Sequence, residues 1–286
     1  MSNTAYLDPR SGQRWPLELP RWCGDGGQPL FLTDLPGIGR DDIARGERSV
    51  WRYAAALPFA PPAPISLGEG CTPLLERRLG AGTALVKCEW FMPTSSFKDR
   101  GASVMLSLLR EQGIGAVLED SSGNGGAASA TYAAAGGMRA RILVPESTSP
   151  AHPFFLHGTK TLAYELWEDL GFRAPDNIVV PCGAGSNVLG CWIGFAELLR
   201  AGQIARMPRL FAVQPANCAP IARAALGAPP AEPRPTIAEG TAIAAPIRLP
   251  EVVQALRETH GGAVILEEEE IARATLELAG QGLYAE

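Results

Sequence analysis

Apolar positions along the chain fall into two textures. Up to residue 66 they keep no sustained period and are cut by turn formers, among them Gly24-Asp25-Gly26-Gly27, Pro36-Gly37, Pro58 and the run 61–64. That pattern predicts an irregular entry segment with one short helix near 43–57, packed on the body through Trp51, Tyr53 and Leu57. From Leu67 onward short β-rich runs alternate with stretches of helical period. The predicted strands are 84–88, 116–119, 141–144, 177–180, 210–213 and 263–266. The predicted helices are 96–112, 126–135, 154–170, 188–200, 219–226, 251–260 and 268–280. Alternating units with near-continuous apolar strands imply an α/β fold whose parallel sheet is covered on both faces. No internal repeat is present, and the Pro/Ala-rich stretch 227–235 reads as a surface connection.

In such a fold the loops that follow strands carry the ligand chemistry. Three of them stand out. The first, Pro93-Thr94-Ser95-Ser96-Phe97-Lys98-Asp99-Arg100-Gly101, puts Lys98 in the first turn of a helix. A cation there opposes the helix dipole, and beside the aromatic Phe97 it is pushed towards its neutral, nucleophilic form. The plainer alternative is a solvated lysine paired with Asp99. The second loop is Asp120-Ser121-Ser122-Gly123-Asn124-Gly125-Gly126, whose small residues and helix-start amides suit an anion while Asn124 both donates and accepts. Alone, it also fits an ordinary Asn/Gly turn. The third, Pro181-Cys182-Gly183-Ala184-Gly185-Ser186-Asn187, makes a phosphate cradle from successive amides and a helix N-terminus. It matches neither the P-loop nor the long dinucleotide fingerprint. An amine for an aldehyde, an asparagine for a ring hydroxyl and a glycine loop for a phosphate together describe one ligand, pyridoxal 5'-phosphate.

Charge and composition narrow the partners. With 25 basic against 30 acidic residues the 286-residue chain is mildly acidic and has no basic stripe, so nucleic acid is not an expected partner. No apolar run is long enough to span a membrane, and the polar start has no signal-peptide core, so a cytoplasmic protein is expected. The six cysteines (Cys23, Cys71, Cys88, Cys182, Cys191 and Cys218) are scattered without a CxxC pair. They read as reduced and mostly buried, with neither disulfides nor a metal expected.

The stretches LGEGCTPLL (67–75), PTSSFKDRG (93–101), SSGNGGAA (121–128), GTKTLAYELWEDLG (158–171) and PCGAGSNVLG (181–190) resemble, in the same order, threonine synthase and its relatives among the pyridoxal-phosphate enzymes of the tryptophan-synthase β fold. The resemblance implies two open, mostly parallel twisted sheets covered by helices. It divides the chain into an N-terminal segment 1–66 packed on the large domain, a large domain of 67–92 with 153–286, and a small domain 93–152. Lys98 would be the Schiff-base lysine and proton carrier, and Asn124 would bond the ring 3'-oxygen. Ser121, Ser122 and Gly123 would hold the substrate carboxylate, with Glu69 in a loop bordering the site. Gly183, Ala184, Gly185, Ser186 and Asn187 would bind the cofactor phosphate, while Asp99 and Arg100 fix the lysine loop.

The implied activity is conversion of O-phosphohomoserine and water to threonine and phosphate, by an enzyme that is commonly a homodimer and takes a small amino-acid substrate. The alternatives are a serine/threonine dehydratase, a β-replacement enzyme such as cysteate synthase, and a cofactor-binding pseudoenzyme. Departures from the family pattern accompany the resemblance. A few tens of residues are missing between Pro150 and Ala151, read as a segment left out of the sequence rather than deleted. The stretch that faces the pyridine nitrogen would follow Glu286, so that partner is unassigned. The N-terminal zinc ribbon of many relatives is reduced to a single cysteine, Cys23, so a metal site is not expected there. His152 and His157 are left without a role.

Overall fold

The computed structural model describes residues 4–80, 82–121, 123–143 and 152–285. Two parallel sheets carry the body. One joins β6 (Ala116–Asp120) to β7 (Arg139–Leu143), with Ala116 opposite Arg139. The other has β9 (Arg209–Pro215) at its centre, between β8 (Asn177–Pro181) and β10 (Gly262–Leu266). The two-sheet α/β architecture expected from the sequence is therefore present.

Between and around these strands run α1 (Lys98–Glu111), α2 (Asn124–Ala135), α3 (Pro153–Thr159) and α4 (Thr161–Asp169). The second sheet adds α5 (Ser186–Arg200), α6 (Pro220–Ala225), α7 (Leu249–Glu258) and α8 (Glu268–Gly280). Helix α1 is buried almost all round: Ala102, Val104, Met105, Leu106, Leu108 and Leu109 are buried, and so are its polar residues Asp99, Arg100, Ser103 and Ser107. A helix with no solvent stripe belongs inside a core, and each large side chain buried contributes about 1.5–3 kcal/mol.

The apolar interior forms two clusters. One is built on α1, α2 and Phe154 and Phe155 of α3; the other on α4, α5, α7 and the central strand β9. Residues of the N-terminal segment enter both: Tyr6, Val50, Trp51 and Leu57 join the first, Ile38, Ile43, Tyr53 and Ala56 the second. Trp51 and Tyr53 are buried as expected, and the Trp51 indole donates to Ser103 of α1 at 3.0 Å.

The structure departs from the periodicity reading in four places. The strand expected at 84–88 does not join a parallel sheet. It is β5 (Gly82–Lys87), paired antiparallel with β4 (Leu74–Leu79) across the Gly80 turn. The entry segment is more ordered than its composition suggests, because β1 (Ala5–Leu7) pairs antiparallel with both β2 (Arg14–Pro16) and β3 (Phe31–Leu32). Its helix expected near 43–57 is reduced to the 3-10 helix Val50–Ala56, and a further 3-10 turn, Arg40–Asp42, precedes that range. The helix expected over 154–170 kinks at Lys160, which keeps helical angles (φ −62°, ψ −19°) while separating α3 from α4. Val144 and the junction at 145–151 lie outside the described residues, as does Ser122.

Glycines set the closest crossings. A Cβ on Gly158 of α3 would stand 2.1 Å from the Arg100 carbonyl oxygen of α1, and one on Gly101 would stand 2.5 Å from the Phe155 ring. Helix α3 thus lies directly against the helix that begins with Lys98.

Candidate active site

Lys98 is the first residue of α1 and half-buried, its ammonium 4.7 Å from the centre of the Phe97 ring and 5.5 Å from that of Phe155. The pairing with Asp99 that would have made it ordinary does not form. The Asp99 carboxylate is taken by the Thr94 amide at 2.7 Å and by the Thr94 hydroxyl, which closes the loop before the helix. Burial lowers the Lys98 pKa, with the Glu119 carboxyl and the Cys182 thiol acting against that shift.

The chain has three lysines, and the other two are committed elsewhere. Lys87 reaches Glu165 at 2.6 Å and Asp169 at 2.7 Å; Lys160 is fully buried and reaches Glu197 at 2.8 Å. Among the described residues no carboxylate comes within ion-pair distance of Lys98. It is the lysine left with an uncommitted, partly dehydrated amine.

Those two electrostatic neighbours also locate the other loops. Glu119 is the next-to-last residue of β6, two positions before Ser121; Cys182 directly precedes Gly183. Both stand at the carboxyl ends of strands, Glu119 on β6 and Cys182 directly after β8, one in each parallel sheet, which is where ligands bind in open α/β folds.

The asparagine loop folds tightly on itself. A Cβ on Gly126 would stand 2.5 Å from the Ser121 carbonyl oxygen, and one on Gly125 would stand 2.8 Å from the Ser121 hydroxyl. Only glycines allow the chain to close there. Asn124 is exposed and is the first residue of α2, a helix whose N-cap, Gly123, provides no side-chain cap. The glycine loop ends at Gly185, which holds φ +90° and is the N-cap of α5, again without a side-chain cap. A substituent on Gly185 would stand 2.3 Å from Val252 of α7, so a glycine is required for space as well as for conformation. Beside it the Asn187 side-chain oxygen is buried without a hydrogen-bond partner among the described residues.

The two helix N-termini that follow these loops, α2 and α5, have no side-chain cap and suit two anionic groups. These features fit pyridoxal 5'-phosphate: an amine for its aldehyde and an amide cradle for its phosphate.

An internal scaffold holds the arrangement. Arg100, fully buried, pairs with Glu89 at 2.7 Å and with Glu165 at 2.8 Å. Glu165 in turn accepts the Cys71 amide at 3.0 Å and the Thr72 amide at 2.8 Å. Burial alone would raise the Glu165 carboxyl, but Arg100 and Lys87 outweigh it and hold it well below the usual carboxylate range. Glu69 belongs to this scaffold. It is fully buried, accepts from Ser103 at 2.6 Å, from the Leu67 amide at 2.8 Å and from Tyr132 at 3.0 Å, and so ties its loop to α1 and α2.

A profile of the family described as "Pyridoxal-phosphate dependent enzyme" matches residues 65–152 and 150–286. The chain belongs to this family. It is a pyridoxal-phosphate dependent enzyme. The threonine synthase of Methanocaldococcus jannaschii is 30% identical over 326 aligned positions, covering 94% of this chain and 80% of that protein. The threonine synthase of Methanosarcina acetivorans is 30% identical, covering 81% of this chain and 69% of its own length. Among solved structures, a threonine deaminase from T.th. superposes with a TM-score of 0.56 at 26% identity, covering 72% of this chain and 77% of that one. The processed form of threonine deaminase isoform 2 from Solanum lycopersicum (TM-score 0.58, 20% identity, 74% and 73% covered) shares the fold.

The alignment with the M. jannaschii protein spans more positions than this chain has residues, so that relative carries segments this chain lacks. The two matched stretches of the family profile meet at 150–152, where the sequence pattern puts a few tens of missing residues.

Sequence reasoning does not single out Glu119, Phe155 or Glu165. Glu119 stands directly before a loop that its glycines make conspicuous, and a side chain near a strand's end reveals its facing only once the pairing is known. Phe155 is 57 positions from Lys98 and meets it only through the α1–α3 crossing.

Proposed function

We propose that the enzyme is a threonine-synthase-like lyase that converts O-phosphohomoserine and water to threonine and phosphate. The observation that carries this reading is the uncommitted lysine at the start of α1, in a chain 30% identical to two threonine synthases. The cofactor supplies the electron sink that makes protons on the substrate's carbons removable.

The chain's own residues bind, orient and move protons. The α5 N-terminus, with Gly183, Ala184, Gly185, Ser186 and Asn187, holds the cofactor phosphate, and Asn124 bonds the ring hydroxyl. Ser121, Ser122 and Gly123, at the start of α2, hold the substrate carboxylate. Lys98, its charge weakened by burial, carries protons between the α-, β- and γ-carbons. In the net reaction the γ-carbon–oxygen bond breaks, phosphate leaves, and the hydroxyl of water ends on the β-carbon. Because the Glu69 carboxylate is held by Ser103 and Tyr132, its loop meets substrate through backbone rather than through that side chain.

The same reading takes 93–152 as a small domain, 67–92 with 153–286 as the large one, and the enzyme as a cytoplasmic homodimer acting on a small amino acid. No helix among the described residues is long and apolar enough to cross a membrane. The fold likeness to a threonine deaminase keeps one competing reaction in view, dehydration of threonine to 2-oxobutyrate.

A single assay separates the two. Purified protein supplied with pyridoxal 5'-phosphate is expected to release phosphate from O-phosphohomoserine with threonine in equal amount, and Lys98→Ala to do neither. Formation of 2-oxobutyrate from threonine, without threonine from O-phosphohomoserine, would replace the synthase reading with the deaminase one.

A further inference from the structure

Glu69 is a buried acid without a cation. Glu165, comparably buried, is flanked by Arg100 and Lys87, whereas among the described residues no basic side chain pairs with Glu69. Charge is poorly solvated in such a position, which favours the protonated carboxyl. The bonds around Ser103 decide the matter by proton count. The Ser103 oxygen lies 2.7 Å from the Ile65 carbonyl oxygen, 2.6 Å from Glu69 Oε1 and 3.0 Å from the Trp51 indole nitrogen. The carbonyl can only accept, the indole can only donate, and Ser103 has one proton to give. Among the described residues no other donor reaches the oxygen of Ile65, a buried residue. A Ser103 proton turned to Glu69 would leave that carbonyl unpaired. Turned to Ile65, it leaves two oxygens 2.6 Å apart with nothing between them unless Glu69 supplies the proton. Glu69 Oε2, in contrast, has donors around it: the Leu67 amide at 2.8 Å, the Tyr132 hydroxyl at 3.0 Å and the Ser66 hydroxyl at 3.2 Å.

We propose that Glu69 is a proton-dependent latch: its Oε1 holds a proton in the folded protein and donates it to Ser103, so that one neutral acid fastens the loop 66–72 to α1 and α2, and loss of that proton unfastens α1. The 2.6 Å bond then runs from Glu69 to Ser103 rather than the reverse, Ser103 gives its own proton to Ile65, and the Trp51 indole fills the remaining lone pair. Every partner is satisfied. Because α1 begins at Lys98 and α2 at Asn124, the latch is a positioning residue for the two helices that carry those side chains. The inference rests on the fold and stands whichever reaction the enzyme performs. The groups that face the carboxyl come from four elements. Its own loop contributes Ser66 and the Leu67 amide, α1 contributes Ser103, the 3-10 helix Val50–Ala56 contributes Trp51 through Ser103, and α2 contributes Tyr132. Asp99 of α1 engages the same Tyr132 hydroxyl, which burial and the two acids keep protonated. Burial raises the Glu69 pKa, while Ser103, the loop amides and Tyr132 pull it down.

The test is denaturant unfolding of the full, cofactor-loaded chain across a pH series, in wild type, Glu69→Gln and Glu69→Ala. A glutamine amide donates to Ser103 as the acid does and accepts on its oxygen, but cannot titrate. The folded protein keeps a proton that the unfolded chain loses above about pH 4.5, so the contribution of Glu69 is complete below that pH and is lost as pH rises. The wild-type folding constant is therefore expected to fall about tenfold per pH unit relative to Glu69→Gln, until Glu69 ionises within the fold. The two curves start together at the acid end and Glu69→Gln lies above wild type at pH 7, while Glu69→Ala, which leaves Ser103 and the Leu67 amide without a partner, lies below both. Infrared spectra of wild type at pH 7 are expected to show the carbonyl stretch of a neutral buried carboxyl that Glu69→Gln lacks. A Glu69→Gln protein that does not fold, that is as unstable as Glu69→Ala, or whose pH dependence parallels wild type overturns the inference, as does a wild-type spectrum without that band.

Discussion

At the scale of the residue, burial decides which side chains are chemically available. Lys98 is set apart from Lys87 and Lys160 by what surrounds it: those two are neutralised by carboxylates at 2.6–2.8 Å, whereas Lys98 has rings and a strand end around it. Lys98→Ala is therefore expected to abolish the visible absorbance of cofactor-loaded protein, while Lys87→Met leaves the band and lowers stability by leaving Glu165 and Asp169 short of a partner. A spectrophotometer and a melting curve separate the two.

His152 supplies a pH-dependent prediction of a different kind. Its Nδ1 accepts the Phe154 amide at 3.1 Å and so caps α3, and burial, aided by the Arg248 charge, pushes its pKa down to about 3. The folded state thus binds this proton less readily than the unfolded chain, whose histidines titrate near 6.5. The stabilisation is complete above about pH 6.5 and is lost as pH falls from there towards 3. Between pH 7 and pH 5 the wild-type protein is expected to lose about 2 kcal/mol more than His152→Asn, which keeps a cap but does not titrate. Parallel melting curves with the two pH dependences coinciding would contradict this role.

At the scale of the element, the crossing of α1 and α3 positions the lysine. Gly158 faces backbone, which has no rotamer to yield, whereas Gly101 faces the ring of Phe155. Gly158→Ala is therefore expected to cost about 3 kcal/mol and Gly101→Ala less, as judged by denaturant midpoints. Gly101→Ala is also expected to move the cofactor absorbance band, because the displaced ring lies beside the Lys98 amine.

The ion network makes a second demand on the same helix. Arg100→Leu leaves Glu89 without its buried partner and Glu165 with Lys87 alone, a loss of about 3–5 kcal/mol. Truncation of an exposed pair such as Arg206–Asp176 is expected to change stability by less than about 1 kcal/mol.

At the scale of the whole molecule, what could be read in the sequence was what local pattern encodes. The strand-to-helix order from β6 onward follows from runs such as Ile178-Val179-Val180 ahead of a glycine loop, and apolar spacing put the helix starts at 96 and 126, two residues from the observed Lys98 and Asn124. Pairings between distant strands left no such trace. Nothing within Gly82–Lys87 says that its partner is Leu74–Leu79 rather than a strand of a parallel sheet, and the three- and two-residue strands of the N-terminal sheet are too short to show a period.

The site was legible in the same uneven way. Loops marked by glycine and by the lysine motif announced themselves, because close backbone approach admits few residue types. Arg100 was implied only as a residue fixing the lysine loop, and nothing local in the sequence marked Glu89 and Glu165 as its partners.

The account depends on one amine. Borohydride reduction of the cofactor-loaded protein, followed by peptide mass analysis across all three lysines, tests it most directly. The expected result is one pyridoxyl phosphate group per chain on Lys98, with Lys87 and Lys160 unmodified. Modification at Lys87 or Lys160 instead, or an unmodified chain under saturating cofactor, would contradict the site described above.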